Sequence, residues 1–171
     1  MNQRMGRYIV AVPSGKTHLK IEVTVWAACV VGSVFLQTKG ALSWRTAGSF
    51  LSSYLFSSLF LSPDLDLAQS RASRRWGIGR IVWFPYATLC RHRRLSHHLL
   101  FGPLTRIGYL GGIVLGLLFG VAFLTGHSVS FSRPSWQIVA AILSGLYLPN
   151  QIHTLVDRIS SFSRRQVRKR L

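Results

Sequence analysis

The chain has 171 residues, 49% of them hydrophobic and 15% charged, and its mean hydropathy is +0.29. Soluble proteins normally carry about 25% charged residues, so this composition argues against an ordinary soluble protein and favours a membrane-embedded one. Lys and Arg number 21 against four acidic residues, which gives a formal net charge of +17. That charge must face anionic lipid, nucleic acid or an acidic substrate. The length fits a single domain over residues 1–171.

Four apolar segments are candidates for membrane-spanning helices. The first is Ile21–Leu36, with Glu22 at its start, and the second is Thr46–Ser62, whose serine hydroxyls can bond to carbonyls of the preceding turn. Both are short enough to be buried or half-inserted helices instead. The third, Ile107–Thr125, is uncharged and would be about 28 Å long, close to the ~30 Å hydrocarbon core. The fourth is Ser135–Ile152.

Arginine and aromatic residues are mixed in the long loop between the second and third segments, Leu67–Arg106. Its stretch RRWGIGRIVWFPY, Arg74–Tyr86, is typical of a segment that lies among lipid headgroups. The basic tail, Ser163–Leu171, is expected to bind anionic lipid. Nucleic-acid-binding segments have a similar composition, but we favour lipid because the neighbouring apolar segments already supply a membrane.

Charge placement supports four spans. With that count, 18 of the 21 Lys and Arg residues fall on one side, which the positive-inside rule places in the cytoplasm. We therefore predict an all-α, multi-spanning helical membrane bundle of about four transmembrane helices plus an interfacial helix, with both termini cytoplasmic. A two-span arrangement is the alternative, and it leaves the first 106 residues as a largely apolar soluble portion. We expect no removable signal peptide within Met1–Thr17.

Histidines and carboxylates gather on the predicted cytoplasmic side. Five of the six histidines and three of the four acidic residues fall there, while His127 lies in the outer loop. A chain with so few acids has little reason to place three of them at one end unless they meet. The gathered residues are His18, His92, His97, His98, His153, Asp64, Asp66 and Asp157.

The local spacings suit metal ligation. Pro63 breaks the second span's helix, so the chain can turn and offer Asp64 or Asp66. His153 and Asp157 stand at i and i+4, on one face of the last helix. Imidazole and carboxylate without thiolate favour Zn, Mn or Fe. Cys29 and Cys90 are too few for a disulfide framework, and we expect both to be packing residues.

Each motif has a simpler explanation when it is taken alone. PDLD commonly ends a helix, His153 and Asp157 could form a hydrogen-bonded pair, and HRR in a basic loop is usually solvated. Acids paired with arginines such as Arg91, Arg93 and Arg94 would need no metal. That charge-pair arrangement leaves the histidines without a role, so the convergence favours a divalent metal site.

These motifs resemble a known family. SGKTH (14–18), SPDLDL (62–67), RWG (75–77), WFPY (83–86), HRRLSHH (92–98), GPLTRIGYL (102–110) and the late His153/Asp157 pair are similar to the uncharacterised metal-binding membrane proteins common in cyanobacteria, the DUF2227 group. Their order and spacing also resemble the wider YdjM-like family of membrane-bound metal-dependent hydrolases. The resemblance spans about Pro13 to Asp157.

The resemblance implies a metal site made from seven residues. From the topology we expect an integral protein of an inner (plasma) or thylakoid membrane, with this site facing the cytoplasm. The implied ligands are His18, Asp64, Asp66, His92, His97, His153 and Asp157. Two departures stand out: Pro149 precedes the last motif, where we expect it to kink the helix, and His98 follows His97 where a glycine was expected.

Three functions are compatible with this pattern. In a metal-dependent hydrolase of a phosphorylated or lipid-like substrate, Asp64 or Asp66 would bridge two metals, His97 or His98 would protonate the leaving group, and Arg93 or Arg94 would bind phosphate. The second function is non-catalytic metal storage or sensing. The third is a basic membrane scaffold with Asp/Arg pairs and no metal.

Overall fold

Helices make up the part of the chain that the computed structural model describes, which comprises residues 15–66, 70–89 and 101–170, with only the backbone described for Asp66 and residues 163–170. No strand occurs in these ranges, so the all-α prediction is confirmed for them. The α helices are α1 Gly15–Thr38, α2 Trp44–Phe60, α3 Arg71–Arg75, α4 Trp83–Leu89, α5 Phe101–Thr125 and α6 Trp136–Arg170, and the 3₁₀ helices are Pro63–Asp66 and Gly77–Val82.

Turn and cap residues account for the boundaries of α2. Gly40, at φ 68°, lies in the turn that separates α1 from α2, a conformation that glycine adopts without strain. Ser43 caps the N-terminus, because its hydroxyl accepts a hydrogen bond from the Thr46 N–H at 3.1 Å. The helix ends at Phe60, before Pro63, as the proline predicts.

Two helices, α1 and α5, are long and apolar enough to cross a membrane. Beyond Arg106, every residue of α5 is at least partly exposed, including Phe123 at 88%. The second and fourth predicted spans correspond to α2 and to the first half of α6. Length and composition of the described helices support two candidate spans. The four-span arrangement therefore stays a prediction.

Helix α6 is longer than its apolar segment. Pro149 lies inside the helix, which continues to Arg170 and so includes residues 163–170 of the basic tail. Proline removes one backbone hydrogen bond from a helix, but a buried side chain supports this turn: the Asn150 amide donates to the Leu146 carbonyl at 3.0 Å. The helix therefore carries His153 past the proline and into the bundle.

Helix α2 is the central packing partner of α1 and α6. A Cβ on Gly145 of α6 would lie 2.5 Å from the Phe50 carbonyl oxygen and 3.0 Å from the Tyr54 nitrogen, so the two backbones touch. On the opposite side, the Tyr54 hydroxyl donates to the Glu22 carbonyl and the Trp26 indole to the Leu51 carbonyl, each at 3.0 Å. These contacts bring the start of α1 beside α6.

An aromatic core joins the short helices to the bundle. It consists of Leu61, Leu65, Ala72, Trp83 and Tyr86, with Trp76 and Tyr109 packed against it. The stretch predicted to lie among headgroups therefore has two faces: Trp83 and Tyr86 are buried, while Ile78 is 94% and Phe84 70% exposed.

Candidate metal centre

Two histidine and carboxylate pairs meet where α1 packs against α6. On α1, Glu22 follows His18 by four residues, and on α6, Asp157 follows His153 by four residues. Residues at i and i+4 share one face of a helix. The helices face each other so that each acid contacts the histidine of the other helix.

The cross-helix contacts are short. Nε2 of His18 lies 3.1 Å from Oδ1 of Asp157, and Nδ1 of His153 lies 3.1 Å from Oε1 of Glu22. Nε2 of His153 also lies 3.8 Å from Oδ2 of Asp157. The two imidazole rings stack, with centroids 4.0 Å apart and planes 15° apart. Both nitrogens that face Asp157 are thus Nε2.

His18, His153 and Asp157 have the geometry of a metal-binding cluster. One ligand atom from each residue lies within 4.8 Å of the others. Because Zn–N and Zn–O bonds are about 2.0–2.1 Å, adjacent ligand atoms in a tetrahedral site lie roughly 3.3 Å apart. The Nε2 atoms of His18 and His153 lie 3.1 and 3.8 Å from Oδ1 and Oδ2 of Asp157, respectively. The donor set therefore fits a divalent cation with small side-chain shifts.

The site is closed on one side and open on the other. Both histidines and Glu22 are buried, whereas the Asp157 side chain is 34% exposed. Beyond the histidines lies a small cavity of about 20 Å³, lined by His18, Glu22, Ser58, Asp64 and Arg71 among others, enough for roughly one water. Within the described residues, the buried Nδ1 of His18 has no hydrogen-bond partner.

Comparison with known proteins indicates metal binding. The profile of the DUF2227 family, described as uncharacterized metal-binding proteins, matches residues 13–167. The chain belongs to this family. An uncharacterized protein of Aquifex aeolicus (strain VF5) is 44% identical over 57 residues, and this match covers 33% of the chain and 40% of the relative. No solved structure gives a significant match.

The family's metal binding and the His/Asp cluster support each other, while the metal's identity stays open. Membership in DUF2227 confirms the resemblance at that level. Kinship with YdjM-like hydrolases and with cyanobacterial proteins stays an expectation.

The structure brings together three of the seven predicted ligands, His18, His153 and Asp157. A fourth, Asp64, lines the adjoining cavity. The side chain of Asp66 lies outside the described part of the chain, and so do His92, His97 and His98 entirely. His127 is exposed, and its Nδ1 lies 3.1 Å from the Thr125 carbonyl oxygen.

Glu22 is the site residue that the sequence analysis missed. As the charged residue at the start of the apolar segment Ile21–Leu36, Glu22 gave rise to no functional prediction. Its spacing from His18 nevertheless equals that of Asp157 from His153. This repeated His-x-x-x-acid spacing was the signal that could have identified it. An acid inside an apolar helix is costly without a partner, and here His153 is that partner.

Proposed function

We propose that this DUF2227 protein is an integral membrane protein that binds a divalent cation, Zn, Mn or Fe, at the cytoplasmic boundary of its bundle. The ligands are Nε2 of His18, Nε2 of His153 and the Asp157 carboxylate. The observation that carries the proposal is the convergence of these three donors from two different helices, α1 and α6.

Charge balance favours a divalent ion in this arrangement. Glu22 and Asp157 together bring two negative charges to two imidazoles. If both imidazoles are neutral, these four side chains carry a formal charge of −2, with Glu22 buried and Asp157 partly exposed. One divalent cation removes that charge. Two imidazolium protons would do the same, and this is the alternative that an experiment must separate from metal binding.

The exposed apolar surface of α5 supports the proposal that the protein is embedded in a membrane. Helix α5 presents Leu117, Phe119 and Phe123 to its surroundings at 55–88% exposure. An uncovered helix of this length and hydropathy is suited to hydrocarbon. The basic loop and tail would then lie on the cytoplasmic leaflet and bind anionic lipid.

The open side of the cluster favours hydrolysis over storage. Catalytic zinc sites typically have three protein ligands and a water in the fourth position, and the exposed edge of Asp157 leaves room for that water. Arg71 and Arg75 line the adjoining cavity and are themselves exposed, so they are suited to contact a phosphorylated or lipid-like substrate. His97 and His98 keep their proposed role as proton donors.

Metal analysis of the purified full-length protein in detergent tests this function. We expect about one Zn, Mn or Fe per chain in the wild type and in the control variant His127→Ala, whose histidine lies outside the cluster. His18→Ala and Asp157→Asn should each lose most of it while keeping wild-type helix content. Absence of metal from the wild type, or retention in both variants, would contradict the proposal.

Two further assays test the finer parts. Resistance of the protein to alkaline extraction from membranes would support integration, and release into the soluble fraction would oppose it. Hydrolysis of a generic phosphodiester that needs added metal and disappears in Asp157→Asn would favour the enzyme, whereas metal binding without turnover would favour storage or sensing.

A further inference from the structure

Glu22 is a buried carboxylate in a candidate membrane helix. Its exposed fraction is 4%, and the helix segment from Val23 to Leu36 contains no charged residue. A carboxylate in such a place is costly unless a specific partner compensates it. The structure supplies one partner, His153, which is equally buried.

The Glu22 contact determines where His153 carries its proton. An ionised carboxylate only accepts hydrogen bonds, so with Glu22 ionised the 3.1 Å contact between Nδ1 of His153 and Oε1 of Glu22 requires the ring proton on Nδ1. The second ring nitrogen, Nε2, then has a free lone pair when the ring is neutral.

That lone pair faces another acceptor. Nε2 of His153 lies 3.8 Å from Oδ2 of Asp157, which is too long for a hydrogen bond. Two acceptors at this separation repel each other unless a proton, a hydrogen-bond donor or a cation lies between them. The tautomer that Glu22 imposes therefore makes this side of the ring suited to an ion.

We propose that Glu22 is a positioning residue of the metal centre: it holds His153 as the Nδ1–H tautomer and aims Nε2 at the ion, without being a ligand. The proposal rests on the function proposed above. Metal-bound histidines generally donate their other N–H to a carboxylate, carbonyl or water, which fixes the ring and raises its basicity. Glu22 lies on α1 and holds His153, the histidine ligand on α6, so this positioning contact joins the two helices.

Two substitutions at Glu22 and one control beside it test the proposal. Glu22→Gln keeps an acceptor oxygen of nearly the same shape, and Glu22→Leu removes the acceptor. Losing such a partner typically lowers metal affinity 10- to 100-fold, so we expect a loss of that order in Glu22→Leu and a smaller one in Glu22→Gln. Tyr54→Phe removes the hydrogen bond to the Glu22 backbone carbonyl and leaves the carboxylate in place, so its zinc affinity should stay at the wild-type value.

Zinc titration and ¹⁵N NMR of the histidine side chains, on full-length protein in detergent, provide the two measurements. With zinc bound, His153 should show a protonated Nδ1 and a zinc-bound Nε2 in the wild type, and a mixture of states in Glu22→Leu. Wild-type zinc affinity in Glu22→Leu, or zinc on Nδ1 of His153, would overturn the proposal.

The NMR measurement also separates this proposal from the metal function. If the wild type bound no zinc, the metal function would fail. The metal-free protein would still show whether Nδ1–H of His153 depends on Glu22. An unchanged tautomer in metal-free Glu22→Leu would overturn the role of Glu22 alone.

Discussion

Replacing Gly145 with alanine tests how α2 supports the metal centre. The new methyl group would lie 2.5 Å from the Phe50 carbonyl oxygen and 3.0 Å from the Tyr54 nitrogen. These are backbone atoms of a helix and cannot rotate away, so α6 must shift outward. Overpacking of this kind costs roughly 1–3 kcal/mol, which outweighs the ~1 kcal/mol that alanine gains over glycine in a helix.

Thermal unfolding in detergent measures this effect. We expect the Tm of Gly145→Ala to fall by several degrees, since about 1 kcal/mol corresponds to roughly 2–4 °C at this chain length. Zinc affinity should fall as well, because His153 lies two turns further along the displaced helix. Gly112→Ala is the matched control, since its methyl group would meet nothing within 4 Å. A Tm for Gly145→Ala at or above that of Gly112→Ala would refute the close approach of α2 and α6.

Three further predictions concern groups around the centre. Arg106 is 1% exposed, and its guanidinium donates to the Leu61 carbonyl and the Asn150 amide oxygen, each at 2.6 Å. Arg106→Met leaves both acceptors unpaired and should cost about 3 kcal/mol of folding free energy. An unchanged Tm would disprove this link between α5, α2 and α6. Tyr54→Phe should cost about 1 kcal/mol in the same assay, and a gain in stability would be inconsistent with its hydrogen bond. Zinc affinity should weaken as the pH falls from about 7.5 to about 5.5, because protons compete for the imidazole nitrogens; equilibrium dialysis that shows no change would argue against histidine ligands.

Local chemistry predicted some helix boundaries. Helix α2 ends at Phe60, shortly before Pro63, which lacks the backbone N–H that a helix needs. The uncharged run after Arg106 is helical as expected, although its helix, α5, begins earlier, at Phe101. The length of α6 was not predictable from hydropathy. Its second half is basic and polar and a proline precedes it, whereas the structure shows one continuous helix, with the Asn150 amide bonded to the Leu146 carbonyl beside the proline.

The candidate site was predictable in part. The i and i+4 spacing of His153 and Asp157 predicts that they share one face of a helix, as observed. Their approach to His18 was expected because the predicted topology puts all three residues on the cytoplasmic side of the bundle. The contact between Glu22 and His153 depends on how α1 is rotated against α6. That rotation results from the packing of α1 and α6 against α2, as in the contacts of Trp26 with Leu51 and of Gly145 with Phe50, which no local pattern encodes.

X-ray absorption spectroscopy of the protein loaded with one equivalent of zinc tests the central claim most directly, because it reports the atoms bound to the ion. We predict two imidazole nitrogens and oxygen ligands at about 2.0–2.1 Å, with one imidazole lost in His153→Ala and none lost in His127→Ala. A zinc shell without imidazole scattering, or one that His153→Ala leaves unchanged, would contradict a metal centre between α1 and α6.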